Sequence, residues 1–139
     1  MKVRRVGKFM LFVLNAAMVC PLFAQGGGGR LYNPSTETTV QGKVLAVDTV
    51  TGRRGWNGVH LTVESKDMKY DVHVGPAAYV EQHGFVFAVG NEVDIVGSEV
   101  LYNGAKSLIA REIKKDGKTL VLRNRQGFPV WSGAGAAVN

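Results

Sequence analysis

The chain has 139 residues, of which 45% are hydrophobic and 20% charged, and its formal net charge is +6. Its length suffices for one domain with an ordinary hydrophobic core. A single cysteine, Cys20, excludes an intrachain disulfide framework, and neither a Gly-x-Ser-x-Gly motif nor a phosphate-binding loop is present. These features predict a protein that is not an enzyme.

Residues 1–24 have the pattern of a secretory signal peptide. The cations at its start are Lys2, Arg4, Arg5 and Lys8. An apolar run follows over residues 9–24 and ends at the small residue Ala24, which predicts cleavage there and a periplasmic or secreted protein. The run is shorter than the roughly 20 residues of a membrane span, so no stable span is expected once the leader is removed. Acylation of Cys20 as a lipoprotein, and an uncleaved N-terminal anchor, are the alternatives.

Removal of the leader changes the meaning of the charge. The leader holds four of the 17 basic residues and none of the 11 acidic ones, so residues 25–139 keep 13 basic and 11 acidic residues and a net charge of +2. The charge of the whole chain is therefore largely a targeting signal, which argues against nucleic acid as the partner. The cleaved protein also has no cysteine for a disulfide, a thiol nucleophile or a metal ligand.

The rest of the chain divides into three parts. Residues 25–36, with four consecutive glycines, predict a flexible linker. Residues 37–131 predict one β-rich domain, and residues 132–139 a disordered tail.

Alternation and β-branched residues predict six strands in the domain. They cover residues 38–50, 59–64, 69–74, 92–96, 107–115 and 119–123, and residues 128–131 could add a seventh. Gly42 predicts a bulge or a bend in the first strand, and Gly97 predicts the end of the fourth. One short helix is expected at residues 77–83, after Pro76 and before Gly84.

Three strands, a short helix and then further strands are the order of an OB-fold, an all-β, five-stranded Greek-key barrel. Here a C-terminal hairpin would be added to that barrel. A sandwich of six or seven strands is the alternative, but an isolated seven-residue helix between strands fits it less well.

The second and third predicted strands bring two histidines together. A two-residue turn at residues 66–67 would pair His60 with His73 on one face, with Asp71 two residues away. Two neutral imidazoles and a carboxylate on a rigid surface can bind zinc, copper or iron. The alternative is an exposed cross-strand pair with no function.

A second group of residues is expected at the loops that flank the ligand face of an OB-fold. Arg53, Arg54 and Trp56 follow the first strand, and Tyr102 and Lys106 surround the next predicted hairpin turn. Arginine and tryptophan together can stack on and neutralise anionic or planar ligands. They predict an envelope protein, a glycan or a small anionic ligand as partner; the alternative is a solvated turn with Trp56 folded onto the barrel.

Four segments resemble a family of small exported bacterial OB-fold proteins. They are GVHLTV (58–63), YDVHVGPAAYVEQHGF (70–85), VGNEVDIVGS (89–98) and LIAREI (108–113). The same segments resemble a domain of magnetosome proteins S and X, which are linked to iron-mineral maturation. The resemblance implies an OB-fold over roughly residues 37–131, and a DNA-binding label that some members carry. It implies no haem, because Cys-x-x-Cys-His is absent from this chain.

Together these observations predict an exported, non-catalytic OB-fold binding module, monomeric or weakly associating, for a protein, a glycan or a small anion. A periplasmic metal-binding module that uses the two strand histidines is the second hypothesis. A nucleic-acid-binding OB domain is the third.

Overall fold

The computed structural model describes residues 31–52 and 57–131. The strands in this part of the chain are β1 (Glu37–Thr51), β2 (Asn57–Ser65), β3 (Met68–Pro76), β4 (Glu92–Tyr102), β5 (Ala105–Lys115) and β6 (Lys118–Val121). A short helix, α1 (Ala77–Gln82), lies between β3 and β4, and a 3-10 turn (Pro34–Thr36) precedes β1. The predicted order of strands and helix is confirmed.

The strands form one closed barrel with an additional edge strand. The sheet order is β3-β2-β1-β4-β5-β6, and β3 also pairs with β5 in parallel, which closes the first five strands into a ring. Strand β1 belongs to both halves of the barrel, because residues 37–43 pair with β4 and residues 43–51 pair with β2. The predicted OB-fold is therefore confirmed, with β6 as the added strand.

Gly42 lies where β1 passes from β4 to β2. A Cβ atom at this position would lie 2.5 Å from the carbonyl oxygen of Glu64 and 2.6 Å from Cγ1 of Val63, so the close approach of the two strands requires glycine. Of the two features predicted at Gly42, a bulge or a bend, the bulge lies elsewhere, because the register of the β1–β2 pair shifts between Val44 and Ala46.

Strand β4 continues through Gly97 instead of ending there, which corrects the prediction. The register against β5 shifts between Val96 and Gly97, and a Cβ on Gly97 would lie 2.6 Å from the carbonyl oxygen of Ile109. The glycine thus permits a bulge and a close backbone contact. Beyond it β4 extends to a hairpin turn at Asn103 and Gly104, whose φ angles are 49° and 77°.

Residues 31–36, which the sequence assigns to the linker, pack against the barrel. Tyr32 is buried and its hydroxyl donates a hydrogen bond to the Glu37 carboxylate. Arg111 of β5 donates to both oxygens of the same carboxylate, at 3.0 and 3.1 Å. The backbone N–H of Asn33 donates to Ser98 Oγ at 2.9 Å. The packed part of the chain therefore begins before β1.

The core lies inside the barrel and is built mainly from inward-facing strand residues. On β2 these are Val59, Leu61 and Val63, the residues that alternation predicts. Val80 of α1 joins the same core. Within residues 31–52 and 57–131, no helix has the length and hydropathy needed to cross a membrane.

Candidate metal site and adjoining cavity

The β2–β3 hairpin determines which polar side chains meet. Its turn consists of residues 66–67, whose φ angles of 49° and 64° are typical of a tight two-residue connection. The resulting register places His60 opposite His73, and Thr62 opposite Asp71, which confirms the predicted pairing.

The Asp71 carboxylate contacts both imidazoles. Its Oδ1 atom is 3.4 Å from Nδ1 of His60, and its Oδ2 atom is 3.2 Å from Nε2 of His73. All three potential ligand atoms lie within 4.8 Å of one another. Two donors on one tetrahedral ion, with bonds of about 2.0–2.1 Å, are roughly 3.3 Å apart. Each imidazole nitrogen thus lies near this spacing from one Asp71 oxygen, but the two oxygens differ, so the side chains would have to move closer together to share one ion.

The alternative interpretation was that His60 and His73 form an exposed cross-strand pair, but most of both side chains is buried. The side chains of His60 and His73 are 22% and 15% exposed, whereas Asp71 is 45% exposed. The two imidazole centroids are 4.2 Å apart, and the Tyr102 ring packs edge-on against His73 at 5.1 Å. The cluster thus has protein on the β4 side and solvent access along Asp71.

Nε2 of His73 is a buried nitrogen without a hydrogen-bond partner among the described residues. Its contact with Asp71 has ion-pair distance but lacks hydrogen-bond geometry. Burial lowers the pKa of His73, the charge of His60 lowers it further, and Asp71 opposes this only in part. His73 is therefore neutral at pH 7, the protonation state in which an imidazole ligates metals.

A cavity of about 300 Å³ adjoins the cluster, and both imidazoles line it. Tyr102, Arg123 and Trp131 form other parts of its wall. Gly52 and Gly58 also line it, so both ends of the segment that carries the predicted loop residues reach the cavity.

The predicted ligand-binding residues have different positions. Tyr102 lies in the cavity wall beside His73. Lys106 does not line the cavity; its ammonium group pairs with Glu99 across the β4–β5 hairpin at 2.9 Å. The other three, Arg53, Arg54 and Trp56, lie outside the described residues.

Sequence analysis missed Arg123 as a cavity residue. It follows buried Leu122, so alternation predicts that its side chain points to solvent. Instead its Cζ atom lies 5.1 Å from the ring centroid of Trp131, and burial lowers its pKa to about 10. No local signal could have found this, because the position depends on the return of the chain after β6, where Arg123 bridges Pro129.

The chain is similar to one protein family and to a solved structure. A model of the MamS/MamX magnetosome protein family matches residues 36–120, which include the histidine cluster but neither Arg123 nor Trp131. Among curated proteins, none matches the chain significantly. One similar solved structure is the dimeric N-terminal domain of PriB from Thermoanaerobacter tencongensis. It is 21% identical, with a TM-score of 0.46, and the match covers 60% of this chain and 99% of that one.

Proposed function

The chain belongs to the MamS/MamX magnetosome protein family, and we propose that it is an exported, non-catalytic OB-fold module that binds a transition-metal ion through His60, Asp71 and His73. The observation that carries this proposal is the grouping of two imidazoles and a carboxylate with ligand atoms within 4.8 Å of one another, in which the buried Nε2 of His73 has Asp71 at 3.2 Å but no well-formed hydrogen bond. Buried polar atoms without partners are uncommon and call for a specific explanation.

The donor set indicates the class of metal. Two imidazoles and one carboxylate suit zinc, copper or iron, whereas magnesium and calcium prefer sites made of oxygen atoms. Three protein ligands leave at least one coordination position for water or another ligand. Both imidazoles line the cavity, so that position would be accessible from it.

A metal-free ion pair is the competing explanation for the cluster. An ion pair between Asp71 and His73 would require a protonated imidazole, and such pairs ordinarily raise the pKa of histidine. Here burial and the neighbouring His60 outweigh Asp71, and the pKa of His73 is lowered. This balance favours a neutral imidazole, the form that can ligate a metal ion.

The leader supports the exported setting of the proposal, because four cations and an apolar run precede Ala24. The absence of enzymatic activity, and a protein, a glycan or a small anion as partner, remain predictions. The OB-fold is also compatible with oligonucleotide ligands. Electrostatic oligonucleotide binding would weaken steeply as salt rises, and a flat salt dependence would exclude it.

Titration calorimetry tests the metal site. The protein, expressed with its own leader and purified, is titrated with Zn²⁺, Cu²⁺ and Fe²⁺, beside a His60→Ala/His73→Ala double variant. His83→Ala is the matched control, because His83 lies at the exposed end of α1 with its ring stacked on Tyr79. We expect one ion to bind with micromolar or tighter affinity in the wild type and in the control, and not in the double variant. Equal binding by the folded double variant would refute the site.

A further inference from the structure

We propose that the cavity beside the histidine cluster binds a small organic carboxylic acid, with the carboxylate held by Arg123 and the apolar part of the ligand packed against Trp131 and the aliphatic wall. This goes beyond the proposed metal function and does not depend on it, because a different side chain carries the argument.

The first observation is that Arg123 is a cation without an anion. No carboxylate of the described residues lies within 4 Å of its guanidinium group. Its Nη1 atom donates one long hydrogen bond, at 3.4 Å, to the carbonyl oxygen of Gly127, and its buried Nε atom has no partner among the described residues. Arg123 is half-buried, and a guanidinium group offers five donors, most of which are left without a protein partner here.

The charge of Arg123 persists at neutral pH. Burial lowers its pKa to about 10, which still leaves the group protonated at pH 7. The Glu37 carboxylate is engaged by Arg111 and Tyr32. Arg123 thus lines the cavity with no carboxylate of the described residues paired to it, and a carboxylate is an anion that a guanidinium group binds through charge-assisted hydrogen bonds.

The aromatic side chain over Arg123 is held in place by the barrel. Cζ3 and Cη2 of Trp131 lie so near β3 that a Cβ on Gly75 would be 3.0 and 3.1 Å from them. The Tyr79 ring packs against the indole at a centroid distance of 5.8 Å. Because the indole covers Arg123, the guanidinium group has a restricted orientation toward the cavity.

The walls of the cavity distinguish an organic acid from an inorganic anion. Alongside Arg123 and the rings, the lining includes Val50, Val59, Val74 and Ile109. A phosphate ion would leave this apolar surface uncovered, whereas an acid with an apolar body would cover it and reach the cation. The volume, about 300 Å³, is at the lower end of ligand sites, which indicates a small molecule.

Calorimetry of the metal-free protein, with EDTA present, tests this inference using acetate, butyrate and benzoate as probes. Benzamide is the neutral counterpart of benzoate, and inorganic phosphate is the anion without an apolar body. We expect submillimolar binding of benzoate, at least tenfold weaker binding of benzamide and of phosphate, and a rise in affinity from acetate to benzoate.

Arg123→Met should weaken benzoate binding at least tenfold, because it keeps the aliphatic stem and removes the charge. Arg125→Met is the matched control, since Arg125 is exposed two residues away, and it should bind as the wild type does. Thermal unfolding verifies the fold of each variant. If Arg123→Met fails to fold, Arg123→Lys, which retains charge but not the two-pronged geometry, replaces it and should also bind more weakly.

Three results would overturn the inference: no acid binding below 10 mM, equal affinities for benzoate and benzamide, or unchanged benzoate binding in a folded Arg123 variant. Phosphate binding as tight as benzoate binding would overturn the organic part of the proposal. Failure of the metal site is separately visible, because metal binding is measured without any acid and benzoate binding is measured in EDTA, so either one can fail while the other is observed.

Discussion

Zinc should stabilise the folded barrel through the β2–β3 hairpin. His60 and His73 lie on adjacent strands of the hairpin and are held opposite each other only in the folded register. A ligand that binds only the folded state adds about 2.7 kcal/mol to the free energy of unfolding at a free concentration 100 times its Kd. In a domain of this size, 1 kcal/mol shifts the melting temperature by roughly 4–8 °C. Saturating zinc should therefore raise it by roughly 10–20 °C.

Differential scanning calorimetry with buffered free zinc measures this shift. We expect the full increase in the wild type and in His83→Ala, and little or none in His60→Ala and in His73→Ala. Because the unfolded chain also contains both histidines, binding to that state would reduce the shift but would not make the three variants alike. The same increase in the His73→Ala protein as in the wild type would refute the reasoning.

Three further predictions concern pH, packing and the N-terminal ion pair. Zinc affinity should fall as the pH drops below about 6.5, because protons then compete for histidine nitrogens. The lowered pKa of His73 moves this competition to lower pH at that residue. An affinity that does not vary between pH 7.5 and 5.5 would contradict the histidine ligands. Gly42→Ala should lower the free energy of unfolding in urea by about 1–3 kcal/mol, because its Cβ would meet the Glu64 carbonyl oxygen at 2.5 Å; an unchanged midpoint would show that the strands are not so close. Glu37→Gln should cost about 1–2 kcal/mol at pH 7 through lost charge-assisted bonds from Arg111. Burial raises the pKa of Glu37, but the hydrogen bonds with Arg111 and Tyr32 lower it by more. The stabilisation by Glu37 should therefore be complete above the ordinary glutamate pKa and be lost as the pH falls through the lower pKa of the folded state. A stability difference between the wild type and Glu37→Gln that does not change with pH would contradict this.

The features that sequence analysis predicted correctly depend on local patterns. Alternation on β2 and β3 determines which side chains face inward, and a two-residue turn leaves one register for the hairpin, so the His60–His73 pair could be predicted. The order of strands and helix was likewise sufficient to predict the OB-fold.

The features that could not be predicted from the sequence depend on contacts between distant segments of the chain. Gly97 has the same local signal whether a strand ends or passes close to a neighbour, and only the approach of Ile109 distinguishes the two. Arg123 resembles any basic residue at a strand end until Trp131 is placed against β3 and over its guanidinium group. The packing of Tyr102 against His73 likewise requires the extension of β4.

X-ray absorption at the metal edge of the zinc-loaded protein tests the central claim most directly. The account predicts a first shell at about 2.0–2.1 Å containing two imidazole nitrogens and a carboxylate oxygen. The outer-ring scattering characteristic of imidazole should disappear in the His60→Ala/His73→Ala variant and persist in His83→Ala. A shell of oxygen atoms alone, or a spectrum that the double variant leaves unchanged, would contradict the metal site.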